Sequence, residues 1–366
     1  MSTPRRSQVR RGCSVATSFA ALLLALGLTA ALAAPAGACG GLVGENGTIK
    51  LVRTTTLAAY HDGVERYVTS FEFDGKGKSV GSIVPLPGVP TNVKRAGDWT
   101  LQRLEREVAP AVPERQALAS SAAKSSGVQV LLKTKIDALD ITVLRGGGTE
   151  VGKWATKNGF LLTPDAPEVL DFYANRSPVF MAAKFDARRA RTLGQTAGQG
   201  TPIMITMPLV EPWVPLRILG LGLEKSQTVQ ADVFLLTDDK PKLLAGGPGV
   251  TFGRSAPADT PLLDDLRSDK GMSWVPKQMW FSYLKVDTSA GDLNYDLAIS
   301  DHQDSLPSVQ AAGVTAPEAR TISPARPGRS LWPITVGLTS GALALFTVVM
   351  LGRRRRSTET ILGPAA

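Results

Sequence analysis

The sequence predicts an α+β fold: a β-rich ectodomain of mixed or antiparallel strands carries a small α/β insertion and precedes one C-terminal transmembrane helix. Three observations predict this architecture. Runs of β-branched and aromatic residues alternate with glycine turns along most of the chain. Helical periodicity is confined to short segments. One uncharged apolar run near the C-terminus has the length of a membrane span.

Residues 1–38 have the pattern of a secretory signal peptide. A cationic stretch over residues 5–11 precedes an apolar run over residues 16–34. Small residues follow, and Ala38 satisfies the rule for signal cleavage, so the mature chain is predicted to begin at Cys39. An uncleaved anchor and a lipoprotein acylated at Cys39 are the two alternatives.

Residues 39–305 are expected to form the ectodomain, with enough chain for one large domain or two lobes. Strand patterns recur within it, over residues 48–55, 67–73, 79–84, 226–236, 280–286 and 292–300. In the last of these strands, apolar residues from Leu293 to Ile299 alternate with polar ones, which predicts one buried and one solvated face. Asp296 is assigned to the solvated face.

Helices are predicted over residues 98–108, from Thr149 to about residue 158, and from Asp165 onward. Asp98 is expected to cap the first helix, and Asp165 with Glu168 forms a capping box for the third. Strands over residues 140–144 and 179–185 flank the second and third helices. These four elements are the predicted α/β insertion.

Residues 306–330 are rich in proline and small polar residues, which predicts an extended stalk. Residues 331–351 carry no charge, and at about 1.5 Å per residue a helix of this length crosses a hydrocarbon core of about 30 Å. Gly337 and Gly341 form a G-x-x-x-G pair, through which two such helices could form a homodimer. A lipid-facing position of this pair is the alternative interpretation.

The basic tail sets the predicted orientation in the membrane. This tail, residues 352–366, contains four consecutive arginines near its start: Arg353, Arg354, Arg355 and Arg356. Positive flanks stay in the cytoplasm. We therefore expect a single-pass protein of the cell membrane, with its ectodomain outside, its C-terminus in the cytoplasm and the lipid bilayer as one partner.

The net charge of +9 is concentrated at the two ends of the chain. Between residues 39 and 330 the net charge is only +2, from 33 basic and 31 acidic side chains. This balance argues against a surface that binds nucleic acid. The chain has only two histidines and two cysteines, too few ligands for a typical His/Cys metal site. Neither a metal ion nor a cofactor is expected.

A phosphate-binding loop is the first candidate motif. Gly147, Gly152 and Lys153 have the spacing G-x-x-x-x-G-K between a strand and a helix. Trp154 occupies the position where a serine or threonine would bind magnesium. The segment is therefore predicted to be a flexible glycine connection into a capped helix.

A calcium loop is the second candidate. Asp292, Asn294 and Asp296 match its first three ligand positions. Leu297 replaces the required glycine and Gln303 replaces the bidentate glutamate. The acidic residues are therefore interpreted as the solvated face of a strand. The neighbouring group of Asp301, His302 and Asp304 is interpreted as a turn at the end of the strand.

His61 and Asp62 are candidates for catalysis, because a carboxylate can orient an imidazole that acts as a general base. The Asp62–Gly63 pair also favours a simple hairpin tip. No G-x-S-x-G nucleophile motif occurs in the chain. An envelope hydrolase that uses His61 or His302 is the alternative function.

Seven short motifs in order resemble a known family: ACGG at residues 38–41, VPLPGVP at 84–90, DITVL at 140–144, NGF at 158–160, FMAAKFD at 180–186, PIMIT at 202–206 and WVPLR at 213–217. Together they resemble the bacterial domain of unknown function 2330 (DUF2330) over roughly residues 38–240. The resemblance implies an exported, often membrane-anchored bacterial domain. It implies no activity and assigns no catalytic residue.

The leading function predicted from the sequence is a membrane-anchored extracytoplasmic module of the bacterial cell envelope. Such a module would bind an envelope protein or a glycan, or would have a structural role. No catalytic residue is assigned to it.

Overall fold

The computed structural model describes residues 41–44, 54–71, 79–108, 129–195, 201–301 and 305–324. The predicted signal peptide, its cleavage site, the membrane span and the arginine tail lie outside these ranges. Within them, no helix combines the length and apolar composition that crossing a membrane requires.

The strands of the described residues are, in chain order, β1 (Gly41–Gly44), β2 (Thr54–His61), β3 (Val64–Phe71), β4 (Ser79–Leu86), β5 (Asn92–Arg95), β6 (Gln129–Ile136), β7 (Leu139–Arg145), β8 (Val179–Asp186), β9 (Thr201–Pro208), β10 (Trp213–Val214), β11 (Thr228–Thr237), β12 (Lys242–Ala245), β13 (Val250–Pro257), β14 (Trp280–Ser289), β15 (Leu297–Ser300) and β16 (Arg320–Ile322).

These strands form three sheets. The seven-stranded sheet has the order β13-β14-β11-β2-β3-β9-β5, and its only parallel pair is β11 with β2. The five-stranded sheet, with the order β1-β4-β8-β7-β6, is antiparallel throughout. The four-stranded sheet, with the order β10-β15-β12-β16, is also antiparallel. The predicted β-rich α+β class is confirmed.

The helices are short: α1 (Thr100–Val108), α2 (Gly148–Lys157), α3 (Ala166–Ala174), α4 (Ala187–Thr192), α5 (Thr260–Ser268) and α6 (Val309–Ala312), with one 3₁₀ helix at Arg217–Gly220. The three helices expected from the sequence correspond to α1, α2 and α3. The last two lie between β7 and β8, as predicted. However, β7 and β8 are neighbours inside the larger five-stranded sheet, so they are not a separate insertion.

The seven-stranded sheet is buried on both faces. On one face, Leu57 and Val68 belong to a core cluster with residues of α1 and α5. On the other face, Ala58 and Tyr67 belong to a cluster with residues of the two smaller sheets. Successive side chains of a strand point to opposite faces. A sheet covered on both sides therefore has strands such as β2 and β11 that are buried almost without interruption.

Two of the predicted helix caps are wrong. The Asp269 carboxylate, rather than Asp98, accepts hydrogen bonds at the start of α1, from the backbone N–H groups of Asp98 and Trp99 at 3.2 Å each. Asp165 makes no side-chain cap on α3 and instead accepts from the N–H of Gly222 at 2.9 Å. In both places a tertiary contact replaces the local hydrogen bond that the sequence pattern predicts.

The proline-rich composition mispredicts the first part of the stalk. Up to Pro324, residues assigned to an extended segment form α6 and β16, and β16 pairs with β12. Ser308 caps α6 through a bond from the Ala311 N–H to its hydroxyl oxygen. The same serine donates from its hydroxyl to the Glu211 carboxylate at 2.8 Å. These contacts join the segment to the rest of the described fold.

One acidic residue lies inside the core without a partner. Glu65 on β3 is fully buried, and neither carboxyl oxygen makes a hydrogen bond. Burial raises the pKa of Glu65 to about 8, because a charge in an apolar interior loses its hydration. The side chain is therefore neutral in the folded protein at neutral pH.

We expect Glu65 to make stability fall as the pH rises from about 4.5 to about 8. Across this window the folded state keeps a proton that the unfolded state releases, because the folded pKa is about 8 against an ordinary value of 4.5. The loss is at most about 1.4 kcal/mol per pH unit. Glu65→Gln should remove this slope in urea unfolding measured at several pH values. The exposed-site control Glu224→Gln should keep the wild-type slope, and a wild-type slope in Glu65→Gln would contradict the assignment.

Candidate functional site

A polar pocket of about 190 Å³ lies on one face of the five-stranded sheet. Its walls come from neighbouring strands β7 and β8 and from the end of α2, with the lining residues Asp140, Thr142, Trp154, Asn158, Phe160, Ala182 and Lys184. Asp140 and Thr142 on β7, like Ala182 and Lys184 on β8, are two residues apart. Because successive side chains of a strand point to opposite faces, both members of each pair lie on the same face of the sheet. We call this site the sheet pocket.

The turn after α2 shapes the sheet pocket. Asn158 ends the helix, and its side-chain amide donates to the carbonyl oxygen of Trp154 at 2.8 Å. Gly159 follows with a left-handed φ of 82°, a conformation that glycine adopts without steric cost. The turn brings Phe160 against Gly81 of β4, where a Cβ atom would overlap the ring. An aromatic ring over a glycine therefore borders the pocket.

The sheet pocket offers hydrogen-bond donors that lack acceptors. Lys184 donates one N–H to the carbonyl oxygen of Asn158 at 3.0 Å, which leaves two of its three donors. The indole nitrogen of Trp154 is buried and has no partner, and the Thr142 hydroxyl has none in the described part of the chain. A buried donor without an acceptor costs about 1–3 kcal/mol. The unpaired donors indicate that an acceptor belongs in this site.

The carboxylate in the pocket wall is already paired. Arg189 Nη2 lies 3.0 Å from Asp140 Oδ1, and Arg189 Nη1 lies 3.5 Å from Asp186 Oδ2. On β6, the strand that pairs with β7, Lys133 and Lys135 lie opposite Thr142 and Asp140. Directly opposed residues share a face of the sheet, so these two exposed lysines add positive charge beside the pocket.

His61, the histidine predicted from the sequence, lies at the tip of the β2–β3 hairpin. Its Nδ1 is 2.6 Å from Asp238 Oδ1 and its Nε2 is 3.3 Å from Asp62 Oδ2. Asp62 has a left-handed φ of 51°, as a hairpin turn requires. Sequence reasoning found Asp62 but missed Asp238, which lies 177 residues further along the chain. The parallel pairing of β2 and β11 brings the two together.

His61, Asp62 and Asp238 have atoms that could bind a metal ion within 4.8 Å of one another. The two carboxylates, however, contact different nitrogens of the His61 ring. Each ring nitrogen of His61 therefore already has a carboxylate oxygen beside it. No described serine, threonine or cysteine side chain hydrogen-bonds to His61. The geometry is that of a charged hairpin tip. His302 lies outside the described residues.

The two other sequence motifs have structural roles. Gly148, beside Gly147 of the phosphate-loop spacing, approaches the backbone of α3 so closely that a Cβ atom would overlap Leu170 and Asp171. The glycine segment leads into α2, as predicted, but it is packed against α3 rather than flexible, and the helix has no side-chain cap. Of the calcium-motif residues, Asp292 and Asn294 are exposed, whereas Asp296 is completely buried. The assignment of Asp296 to a solvated face is wrong.

Comparisons with known proteins identify a family. The sequence model of a family described as an uncharacterized protein conserved in bacteria (DUF2330) matches residues 33–239. The chain belongs to this family. No curated protein matches the sequence. The matched range includes every residue of the sheet pocket, so the pocket lies in the DUF2330 part of the chain.

Solved structures give only a distant likeness. Baculovirus P35 is 9% identical, with 70% of this chain and 98% of that chain covered and a TM-score of 0.37. The caspase-8/P35 complex gives 9% identity, coverage of 68% and 96%, and a TM-score of 0.33. A likeness at this level carries no argument about function.

Residues beyond the DUF2330 match complete the fold through Asp296. Its Oδ1 accepts hydrogen bonds from the backbone N–H groups of Leu216 and Arg217, at 2.7 Å and 3.0 Å. The Tyr173 hydroxyl donates to the same oxygen at 2.9 Å. Arg176 forms an ion pair with Oδ2. Asp296 therefore joins α3 and the start of the 3₁₀ helix, both inside the family region, to a segment outside it.

Aromatic rings enclose this ion pair. The Arg176 guanidinium lies 4.4 Å from the ring centroid of Phe172 and 4.6 Å from that of Trp213. Burial, and after it the Asp296 charge, raises the pKa of Tyr173 well above its ordinary value, so the phenol stays protonated and donates. Weakly hydrated guanidinium groups suit such aromatic surroundings. Both carboxylate oxygens of Asp296 have partners in this charge network, which leaves neither of them free for a calcium ion.

Asp296→Asn should lower the free energy of unfolding by about 3–5 kcal/mol, because it leaves the enclosed Arg176 charge without its partner. Urea unfolding of the purified protein measures this difference. Asp292→Asn is the matched control, since Asp292 is exposed and bonds only locally to Ser289. The control should change stability by less than about 1 kcal/mol. Equal effects of the two variants would contradict the proposed role of the network.

Proposed function

We propose that this DUF2330 protein is a binding module of the bacterial cell envelope, held outside the membrane by a C-terminal helix, and that the sheet pocket is its ligand site. The module binds a small molecule or a short group of an envelope component. It performs no reaction on that ligand. The sequence supports the location through the signal pattern of residues 1–38, the apolar run of residues 331–351 and the arginines that follow.

The observation that carries the proposal is the presence of free donors in the lining of a polar pocket, two N–H groups of Lys184 and the hydroxyl of Thr142. The indole N–H of Trp154, a further lining residue, is buried without a partner. The pocket also combines an aromatic surface with a few polar groups, as ligand pockets generally do.

A hydrolase based on His61 has weaker support. The contact of 2.6 Å between His61 and Asp238 resembles a base with its orienting carboxylate. Asp62 occupies the other ring nitrogen, however, and no nucleophile among the described residues contacts the ring. A binding function therefore fits the charge and contacts of the described residues better.

The orientation has a direct test. In spheroplasts of cells that make the protein with a tag after Ala366, added protease should digest the ectodomain and leave the tag intact. Replacing Arg353, Arg354, Arg355 and Arg356 with glutamine should reduce this protection, because the positive flank holds the C-terminus inside. Immunoblots of the ectodomain and of the tag give the measurement. A digested tag with a surviving ectodomain would reverse the proposed topology.

Ligand binding in the sheet pocket should be lost when the pocket is filled. Thr142→Tyr places a ring in the pocket on a strand that tolerates aromatic residues. The full-length protein in detergent, incubated with a small-molecule fraction of envelope extract and washed, should retain a compound that mass spectrometry detects and that Thr142→Tyr does not retain. Thr251→Tyr, on an exposed site of β13, is the control and should retain it. Equal retention by both variants would refute the pocket as the site.

A further inference from the structure

We propose that the sheet pocket recognises an anionic group, a carboxylate or a phosphate, on its ligand. This inference rests on the proposed function of the pocket and adds the charge class of the ligand. The pocket floor and its surroundings carry unpaired cationic and neutral donors, whereas the carboxylate in its wall already has a cationic partner. Three groups of residues carry this argument: Lys184 with its neighbours on β6, the pair Asp140–Arg189, and the donors Trp154 and Thr142.

Positive charge dominates the face of the sheet around the pocket. Lys184 lines the pocket itself and keeps two free N–H donors after its bond to the Asn158 carbonyl oxygen. Lys133 and Lys135 lie on the same face of the neighbouring edge strand, and no described carboxylate forms an ion pair with either of them. Charges of one sign around a concave site raise the local concentration of ions of the opposite sign.

The acidic wall of the pocket does not cancel this charge. Asp140 is the carboxylate that lines the pocket, and Arg189 is paired with it at 3.0 Å. The same guanidinium donates from Nε to the carbonyl oxygen of Asp137 at 3.1 Å, which fixes it behind Asp140. A cationic ligand would have to compete with this arginine for the carboxylate. An anionic ligand meets Lys184 without displacing any existing ion pair.

The neutral donors favour the same ligand chemistry. A carboxylate or phosphate has only acceptor oxygens when it is ionised, and the Trp154 N–H and the Thr142 hydroxyl both lack a partner. Hydrogen bonds to a charged acceptor are stronger than those to a neutral one. An apolar ligand would leave the Trp154 donor unsatisfied and would gain nothing from Lys184.

The size of the pocket limits what enters it. A volume near 190 Å³ corresponds to about six water molecules at about 30 Å³ each. One phosphate group or one sugar acid fits such a space, and a polymer would extend beyond it. We therefore infer recognition of a single anionic group, which a free metabolite or the end of an acidic envelope polymer could supply.

Isothermal titration calorimetry of the full-length protein in detergent tests the inference. The probes are inorganic phosphate and glucuronate, with glucose and ethylammonium as neutral and cationic comparisons, all at constant ionic strength so that general screening stays equal. One of the two anions, and neither comparison compound, should bind. A preference for phosphate or for glucuronate identifies which chemical source of the anionic group the site accepts.

Variants show whether binding depends on the proposed contacts. Lys184→Met keeps the apolar part of the side chain and should weaken anion binding by about tenfold or more, because one charged hydrogen bond is lost. Lys184→Arg should restore most of it. Thr142→Val keeps the side-chain volume and removes the hydroxyl, and should weaken binding by about fivefold. Lys94→Met, which removes an exposed lysine on β5 of another sheet, is the control and should leave affinity unchanged.

Several outcomes would overturn the anion inference. They are binding of ethylammonium or glucose in place of the anions, an equal loss of affinity in Lys94→Met and Lys184→Met, and absence of anion binding by a wild-type protein with a normal unfolding transition. The proposed function fails separately. If Thr142→Tyr abolishes retention of a neutral or cationic envelope compound, the pocket is a ligand site and only the anion inference is wrong. If Thr142→Tyr changes nothing, the pocket itself is excluded.

Discussion

The folded part of the chain that the structure describes depends on the burial of one carboxylate, Asp296. Removing a charge from water is so costly that it must be compensated by several partners at once, and Asp296 has an arginine, a phenol and two backbone N–H groups. These partners come from α3, from Arg176 just after it, and from the start of the 3₁₀ helix. The segment that follows the DUF2330 region therefore cannot be removed without exposing polar groups inside the family region. The charge network therefore connects residues beyond the family match to the fold of the family region.

Asp269 is a second buried carboxylate that several partners compensate, and it lies next to α1, one of the helices of the other core cluster. It is nearly buried, and it accepts from the backbone at the start of α1, about 170 residues earlier in the chain. A helix start has N–H groups with no partner inside the helix, so a carboxylate from a distant element stabilises it as well as a local cap would. Glu65 is the contrast. It has no such partners, and the protein buries it in its neutral form instead.

The same reasoning separates the two candidate sites. At the hairpin tip, His61 and its two aspartates satisfy one another, so nothing there indicates a missing group. In the sheet pocket the arginine satisfies Asp140, but Lys184, Trp154 and Thr142 keep donors without acceptors. A surplus of donors beside a concave surface is the signature of an acceptor ligand. The sheet pocket is therefore a better candidate for a ligand site than the hairpin tip that carries His61.

Local features of this protein can be predicted from its amino-acid sequence alone. Alternation and turn residues located β3, β4, β11 and β14, the NGF motif marked the turn at the pocket, and the motif order indicated the DUF2330 family. Which polar residues are buried depends on the tertiary structure. The alternation from Leu293 to Ile299 predicts a strand with a solvated Asp296, but the strand begins only at Leu297, and Asp296 is buried where it bonds to Tyr173 of α3 and to Ala312 of α6. Likewise, Asp238 reaches His61 and Lys184 reaches Asn158 through strand pairing and a helix turn. Such contacts join residues far apart in the chain, and the local periodicity of a sequence carries no information about what covers a strand from outside.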